Sequence, residues 1–274
     1  MSSSTNGGNS SLQYSSELAF ALTLAERADA ISLSRYQALD LEITTKPDNS
    51  PVTDADKAVE RAIIDAIATK YPSDGVVGEE FGTSGSKDRY WVIDPIDGTK
   101  NFMRGVPTWA TLIALVENEA VVASVVSSPA LYRRWYASAG GGAFVVEGGS
   151  VKASPAPRKL TVSKVSQLSD ASITYSDFQG WGTRRQAFEK LLDGAWRTCG
   201  LGDFWSHMLV AEGAVDVAIE PSLALWDMAA LDLIVREAGG RFTSLDGVDG
   251  PFGPNAISTN GALHGAIIEA INKV

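Results

Sequence analysis

Two aspartates three residues apart, Asp94 and Asp97, close an apolar run in the segment Tyr90-Trp-Val-Ile-Asp-Pro-Ile-Asp-Gly-Thr-Lys-Asn-Phe102. Pro95 fixes φ between them and removes a backbone donor, so both carboxylates can face one point at the end of a strand. Gly98 and Thr99 follow as a turn that could open a short helix, with backbone N–H groups turned toward an anion. Gathered carboxylates repel one another unless a cation lies between them. An all-oxygen donor set of this kind suits a hard cation such as Mg²⁺. Taken alone, Asp-Pro-x-Asp-Gly is equally ordinary turn chemistry.

Further acids stand in comparable positions. Gly78-Glu79-Glu80-Phe81-Gly82 follows the apolar pair Val76-Val77, which places Glu79 and Glu80 at a second strand end, or on a charged surface turn. Trp226-Asp227-Met228-Ala229-Ala230 opens a helical pattern, where an acid is favoured by the helix dipole whatever its function. Asp56 stands three residues after Thr53 at another helix start, and a capping box is its alternative reading. The rest of the composition narrows the chemistry. The chain has 274 residues, 33 acidic against 23 basic side chains (net −10), two histidines and one cysteine. That balance argues against a nucleic-acid binder, which needs a basic face. His207, His264 and Cys199 are too few for a histidine or cysteine zinc site. No G-x-S-x-G stands in the chain, and neither histidine has the setting of a nucleophilic triad.

These groups need elements to hold them. Leu18, Ala21, Leu22, Ala25 and Ala28 predict one face of a helix over Glu17 to Tyr36, and Val59, Ala62, Ile63, Ala66 and Ile67 a second from Asp54. Strands are predicted at 90–93, 111–116, 120–126 and 134–138, the middle pair forming an antiparallel hairpin about Glu117-Asn118-Glu119. Later strands near 171–175 and 215–219 alternate with helices near 183–192, 204–212, 226–238 and 261–272. Lys152 to Lys159, with two prolines and no apolar period, is the expected boundary. The expected plan is a tail over residues 1–11, an α+β half over 12–152 carrying the metal site, and an α/β half over 153–274 carrying specificity elements. The Ser/Gly/Asn-rich start has neither the basic nor the apolar part of a signal peptide. The most apolar region falls short of the roughly 18 residues a membrane helix needs. With one cysteine, a reducing, cytoplasmic setting is expected.

The three motifs Glu79-Glu80, Asp94-Pro-Ile-Asp-Gly-Thr99 and Trp226-Asp-x-Ala-Ala230, in this order and at these separations, resemble the inositol monophosphatase family of Mg²⁺-dependent, lithium-sensitive phosphatases. The resemblance runs from about Leu18 to the C-terminus and includes Lys46 and the helix start Val52-Thr-Asp-Ala-Asp56. It implies a layered αβαβα sandwich, a phosphate monoester as substrate, a homodimer, and two or three Mg²⁺ per site. Glu79, Asp94 and the Ile96 carbonyl would hold one ion and Asp94, Asp97 and Asp227 a second. Glu79 with Asp56 would hold a weaker third, and Glu80 would act through water. Thr99, paired with Asp56, would orient and help deprotonate the attacking water, with Glu79 counted among the catalytic groups. Gly98, Thr99, Asp97 and Asp227 would face the substrate.

Choice of ester lies in Arg197-Thr-Cys-Gly-Leu-Gly-Asp-Phe-Trp-Ser-His-Met208. Inositol-hydrolysing members carry small residues where this chain has Asp203 and Phe204. Glu220 matches the family carboxylate that touches the alcohol portion. Asp203 and Glu220 together suit a cationic leaving group, and the Gly-Asp-Phe-Trp variant looks like the bacterial histidinol-phosphate phosphatases of this family, which act in histidine biosynthesis. Arg197 is expected either at the substrate acids or at an interface. Asp203 has an alternative role as a helix cap, and His207 as a packing residue. The rival activities are inositol-1-phosphate hydrolysis, a broader sugar phosphatase, and a non-catalytic Mg²⁺/phosphate-binding regulator.

Overall fold

The structure, a computed structural model, describes residues 13–47, 49–148 and 156–273; the expected tail and half of the expected boundary lie outside them. Helices α1 (Ser15–Arg35) and α2 (Asp54–Lys70) form the first layer, joined through the two-stranded β1 (Ile43–Thr45) and β2 (Pro51–Thr53). The second layer is an eight-stranded sheet. Its strands are β3 (Gly75–Gly78), β4 (Gly82–Ser84), β5 (Arg89–Asp97), β6 (Ala110–Glu117), β7 (Ala120–Ser128), β8 (Arg133–Ser138), β9 (Gly142–Glu147) and β10 (Arg158–Lys159). Since Arg158 and Lys159 still pair with β9, this sheet reaches past the proline-containing stretch.

Alternation along β5 sorts the layers. Trp91 and Ile93 pack with Ala21, Leu24, Ala25, Val59, Ile63 and Ile67 of the first helices. Val92, pointing the other way, joins Phe204, Met208 and Ala229 of the middle helices. Those helices are α5 (Asp203–Ala211) and α6 (Leu225–Glu237). Every residue of α6 from Met228 to Val235 is buried, as expected of a helix enclosed on all sides. Beyond them lies a five-stranded sheet of β11 (Ser172–Tyr175), β12 (Arg197–Gly200), β13 (Val217–Glu220), β14 (Arg241–Thr243) and β15 (Ala256–Thr259), in the order β12-β11-β13-β15-β14. The outer helices α4 (Arg185–Asp193) and α7 (His264–Ile271) cover it through Phe188, Leu191, Ile267 and Ile271. The architecture is therefore the αβαβα sandwich that the resemblance implied. Each fully buried apolar side chain in these layers contributes about 1.5–3 kcal/mol.

One strand differs instructively from expectation. β5 does not stop at Ile93 but continues to Asp97, its pairing with β6 shifting between Asp94 (opposite Leu112) and Asp97 (opposite Ala110). Three steps on one strand face two on the other, so Pro95-Ile96 is a β-bulge. Proline has no N–H to give the ladder, and the Pro95 carbonyl instead accepts from Thr111 Oγ1 at 2.8 Å. The bulge re-aims both aspartates without ending the strand. Among the described residues no helix is long and apolar enough to cross a membrane.

Candidate active site

Strand ends deliver most of the acids. β3 and β5 run parallel, and Glu79 and Asp97 stand at their C-terminal ends. After β5, Gly98 adopts φ 84° and α3 (Thr99–Met103) begins. A Cβ at Gly98 would meet the Thr108 carbonyl at 3.0 Å and Asp203 Oδ2 at 3.2 Å, so only glycine fits this turn comfortably. Asp227 enters from the first turn of α6.

Asp94, Asp97 and Asp227 each offer one carboxylate oxygen within 4.8 Å of those of the other two. Each is oriented by a backbone donor. Ile96 N–H donates to Asp94 Oδ1 at 3.0 Å, Phe204 N–H to Asp97 Oδ2 at 2.7 Å, and Ala224 N–H to Asp227 Oδ2 at 2.7 Å. Burial raises all three carboxyls. The charges of Glu79, Asp97, Asp227 and Asp56 add to the rise at Asp94, and those of Asp203 and Asp227 at Asp97. Asp227 is pushed up to about 6, by burial first and then by Glu79 and Asp203. Two buried and one half-buried, oxygen-only, mutually repelling donors fit a hard divalent cation.

Asp56 makes the expected capping box and also faces Thr99. It is fully buried; its Oδ2 accepts from Thr53 N–H at 2.8 Å and Thr53 Oγ1 at 2.5 Å, while Thr53 Oγ1 accepts from the Ala55 and Asp56 N–H groups. This is a capping box. The other oxygen, Oδ1, faces the Thr99 hydroxyl at 3.4 Å, which also lies 3.1 Å from the Ile96 carbonyl. Burial lifts the Asp56 carboxyl to about 6 against the pull of its Thr53 bonds.

Glu79 and Glu80 turn toward Lys46, whose Nζ lies 2.6 Å from Glu79 Oε1 and 2.5 Å from Glu80 Oε1. Glu79 is thus beside the three aspartates, with a lysine as its present counter-charge. Glu60 was not singled out in the sequence, yet it is fully buried and accepts from the Glu80 and Phe81 N–H groups at 2.8 and 2.9 Å, which holds the Glu79-Glu80 turn. Its signal was available: Glu60 shares the inward stripe of Asp56, Ile63 and Ile67 on α2.

The second sheet supplies the other wall. β11, β12 and β13 are parallel, and Ser176, Asp203 and Glu220 stand at or just beyond their C-terminal ends, the usual ligand side of such strands. Acids Asp97, Asp203, Glu220 and Asp227, with Leu223 and Leu231, line a small cleft. Asp203 does not cap α5: Gly202 is the N-cap, and the Phe204 N–H is taken by Asp97 across the layer. Asp203 has φ 50° and faces Asn101 Nδ2 at 3.4 Å; burial raises its carboxyl, with Lys100 pulling the other way. Glu220 Oε2 accepts from the Ser176 hydroxyl, while buried Oε1 has no partner. Its carboxyl rises to about 8, from burial first and then from Asp203 and Asp227.

Arg197 is the residue the fold does not bring to this cleft. It begins β12, at the end opposite Gly200, roughly 10 Å away along the strand. There it is exposed and makes no ion pair among the described residues.

Residues 13–274 match the sequence profile of the inositol monophosphatase family. A histidinol-phosphatase of Mycobacterium tuberculosis is 52% identical over 259 residues, covering 93% of this chain and 98% of the relative. A histidinol-phosphatase of Streptomyces coelicolor is 50% identical over 266 residues, with 95% and 98% covered. A solved IMPase from Thermotoga maritima superposes with a TM-score of 0.82 at 29% identity, over 94% of this chain and 97% of the other. By sequence profile, by these relatives and by fold, this chain is a member of the inositol monophosphatase family.

Proposed function

We propose that this phosphomonoesterase hydrolyses histidinol phosphate to histidinol and phosphate, with Mg²⁺ as its cofactor. The observation that carries the reading is the acid pair Asp203 and Glu220 on the cleft wall built from the second sheet, where a neutral polyol would have no counter-charge to offer. The 50–52% identity to two histidinol-phosphatases over nearly their whole length supports the same substrate.

Asp94, Asp97 and Asp227, with Glu79 and the Ile96 carbonyl, would hold Mg²⁺, two or three ions per site with Asp56 contributing to the last. Bound there, Mg²⁺ supplies positive charge for the phosphoryl oxygens and lowers the pKa of the attacking water. The chain's own groups do the remaining work. Thr99 Oγ can accept from the water while donating its own proton to Asp56 Oδ1, and the elevated Asp56 carboxyl is placed to take up charge from that pair. As the water oxygen bonds to phosphorus, its proton passes through Thr99 to Asp56; the ester P–O bond breaks, the departing histidinol oxygen takes a proton from solvent, and Asp56 returns its proton to solvent. Asp203 and Glu220 hold the cationic leaving group so that this bond stays in line. The reading includes a homodimer in the cytoplasm, an expectation that rests on the family and on the lone free Cys199; a single-chain mass in light scattering would remove the dimer.

Phosphate release from histidinol phosphate, inositol 1-phosphate and fructose 1,6-bisphosphate, with and without Mg²⁺, tests the reading. Histidinol phosphate is expected to lead by at least about tenfold in kcat/KM, the equivalent of one charge-assisted contact. Equal rates on the first two esters would remove the specificity, and turnover unaffected by EDTA would remove the metal.

A further inference from the structure

The chain has two histidines, and the fold treats them differently. His264 is paired at both ring nitrogens, with Thr259 Oγ1 at 3.1 Å from Nδ1 and Thr243 Oγ1 at 3.2 Å from Nε2. That is a satisfied packing histidine. His207, on α5, is 1% exposed; its Nδ1 meets Ser258 Oγ at 2.8 Å and its ring lies against Phe242 at 5.6 Å. Nε2 has no partner, and the residue lines the cleft that holds Asp203 and Glu220. Glu220 Oε1, in the same cleft, is the other buried polar atom left without a partner there. A buried polar atom without a partner costs about 1–3 kcal/mol. Two on one cleft wall call for a ligand that satisfies both.

Burial holds the His207 ring neutral, its pKa pressed down to about 3. A neutral imidazole presents one donor and one acceptor. Ser258 Oγ can accept from Nδ1–H, which leaves the unpartnered Nε2 as an acceptor on a residue that lines the cleft. With Glu220 and Asp203 ionised against a bound cation, the lining offers three acceptors: Nε2, Glu220 Oε1 and the Asp203 carboxylate. Three acceptors match the three N–H donors of a primary ammonium; a hydroxyl, with one donor, would leave two of them unmet.

Building on the proposed substrate, we infer that His207 is a specificity-determining residue, which with Glu220 and Asp203 forms a three-acceptor receptor for the primary ammonium group of the leaving alcohol. The histidinol amine, rather than its imidazole, is the part read here.

The measurement is kcat/KM for histidinol phosphate and for its desamino analogue, in the wild type and in His207→Leu and His207→Gln. The amine-to-desamino ratio is expected to fall about 10- to 100-fold in His207→Leu, the equivalent of one hydrogen bond to a charged group. In His207→Gln the amide oxygen can replace Nε2, so most of the ratio should return. A ratio unchanged in His207→Leu overturns the inference. Should that variant fail to fold, the wild type decides through ¹⁵N-histidine NMR, since only two rings are present. Saturation with histidinol should shift His207 Nε2 as an unprotonated acceptor and leave His264 in place; no movement at His207 overturns the receptor. Wild-type enzyme that hydrolyses inositol 1-phosphate but not histidinol phosphate would sink the proposed function as well, a different outcome from an unmoved ratio.

Discussion

At the scale of single residues, the site is a set of carboxylates whose second bond decides their role. Asp203 illustrates this: its helix is capped by Asp97 instead, so its own oxygens face the cleft. Asp203→Asn keeps the shape and tolerates the φ of 50°, and removes only the charge. It should lower kcat/KM for histidinol phosphate by about tenfold or more relative to glycerol 2-phosphate, one charged contact being worth that much. A parallel loss on both esters in steady-state assays would show that the charge is not read by the leaving group. Asp94→Asn retains the oxygen that accepts from Ile96 N–H yet removes a repelling charge. Mg²⁺-dependent turnover should drop by about 10³-fold or more on losing such a preorganised electrostatic group, while the midpoint of thermal unfolding in EDTA rises. A fall in both would mean that Asp94 stabilises the fold rather than the cation. The clustered acids Asp94, Asp97 and Asp227 were legible as residues, because carboxylates flanked by apolar runs stand out. Their partners were not. Nothing in the spacing says that Lys46 lies between Glu79 and Glu80, that Ser176 holds Glu220, or that His207 is half satisfied, since those contacts join segments over 30 residues apart.

At the scale of elements, the capping box at the start of α2 links stability to chemistry. Thr53 holds Asp56 Oδ2 by both its N–H and its hydroxyl, which leaves Oδ1 for Thr99. Thr53→Ala removes the hydroxyl and one reciprocal cap, costing about 1 kcal/mol of stability. It should also lower kcat with little change in KM, because Asp56 is no longer held toward Thr99. Urea unfolding beside steady-state kinetics separates the effects, and a stability loss with kcat intact would confine Thr53 to capping. Long periodic elements were the legible ones: α1, α2, α6 and the hairpin of β6 and β7 fall where their apolar spacing puts them. The short strands were not. Arg197–Gly200, Arg241–Thr243 and Ala256–Thr259 hold three or four residues each, too few for a period, and are strands because neighbours pair with them. The β5 bulge was hidden for a related reason: proline reads as a stop, and only the register with β6 shows the strand resuming.

At the scale of the whole molecule, acidity and fold are in tension until a cation arrives. Glu220 rises to about 8, and Asp56 and Asp227 to about 6, while Asp94 and Asp97 are raised by burial and by one another. Unfolded carboxyls titrate near 4. Between about pH 4 and 8 the folded chain therefore holds more protons than the unfolded one, and its stability declines as pH rises through that window. His207 and His264 oppose this. Lowered to about 3 and about 4, they cost stability as pH falls below roughly 6.5, where the unfolded imidazoles charge. Five raised carboxyls outweigh two histidines. In EDTA the unfolding midpoint should accordingly be higher at pH 5 than at pH 8. On the proposed reading Mg²⁺ binds the ionised carboxylates, so its affinity and the stabilisation it brings should grow with pH, and millimolar Mg²⁺ should raise the midpoint more at pH 8 than at pH 5. Calorimetric scans at the two pH values, with EDTA and with Mg²⁺, read both slopes. A midpoint that climbs with pH in EDTA would show that the acids sit in the fold as compensated ion pairs. A Mg²⁺ shift equal at both pH values would show that the cation meets no buried, proton-competing carboxylate. The expected pattern instead makes the acids gathered at the strand ends and at the start of α6 a cost to the bare fold, borne because, on the proposed reading, the same cluster holds the cation that the phosphoryl group needs.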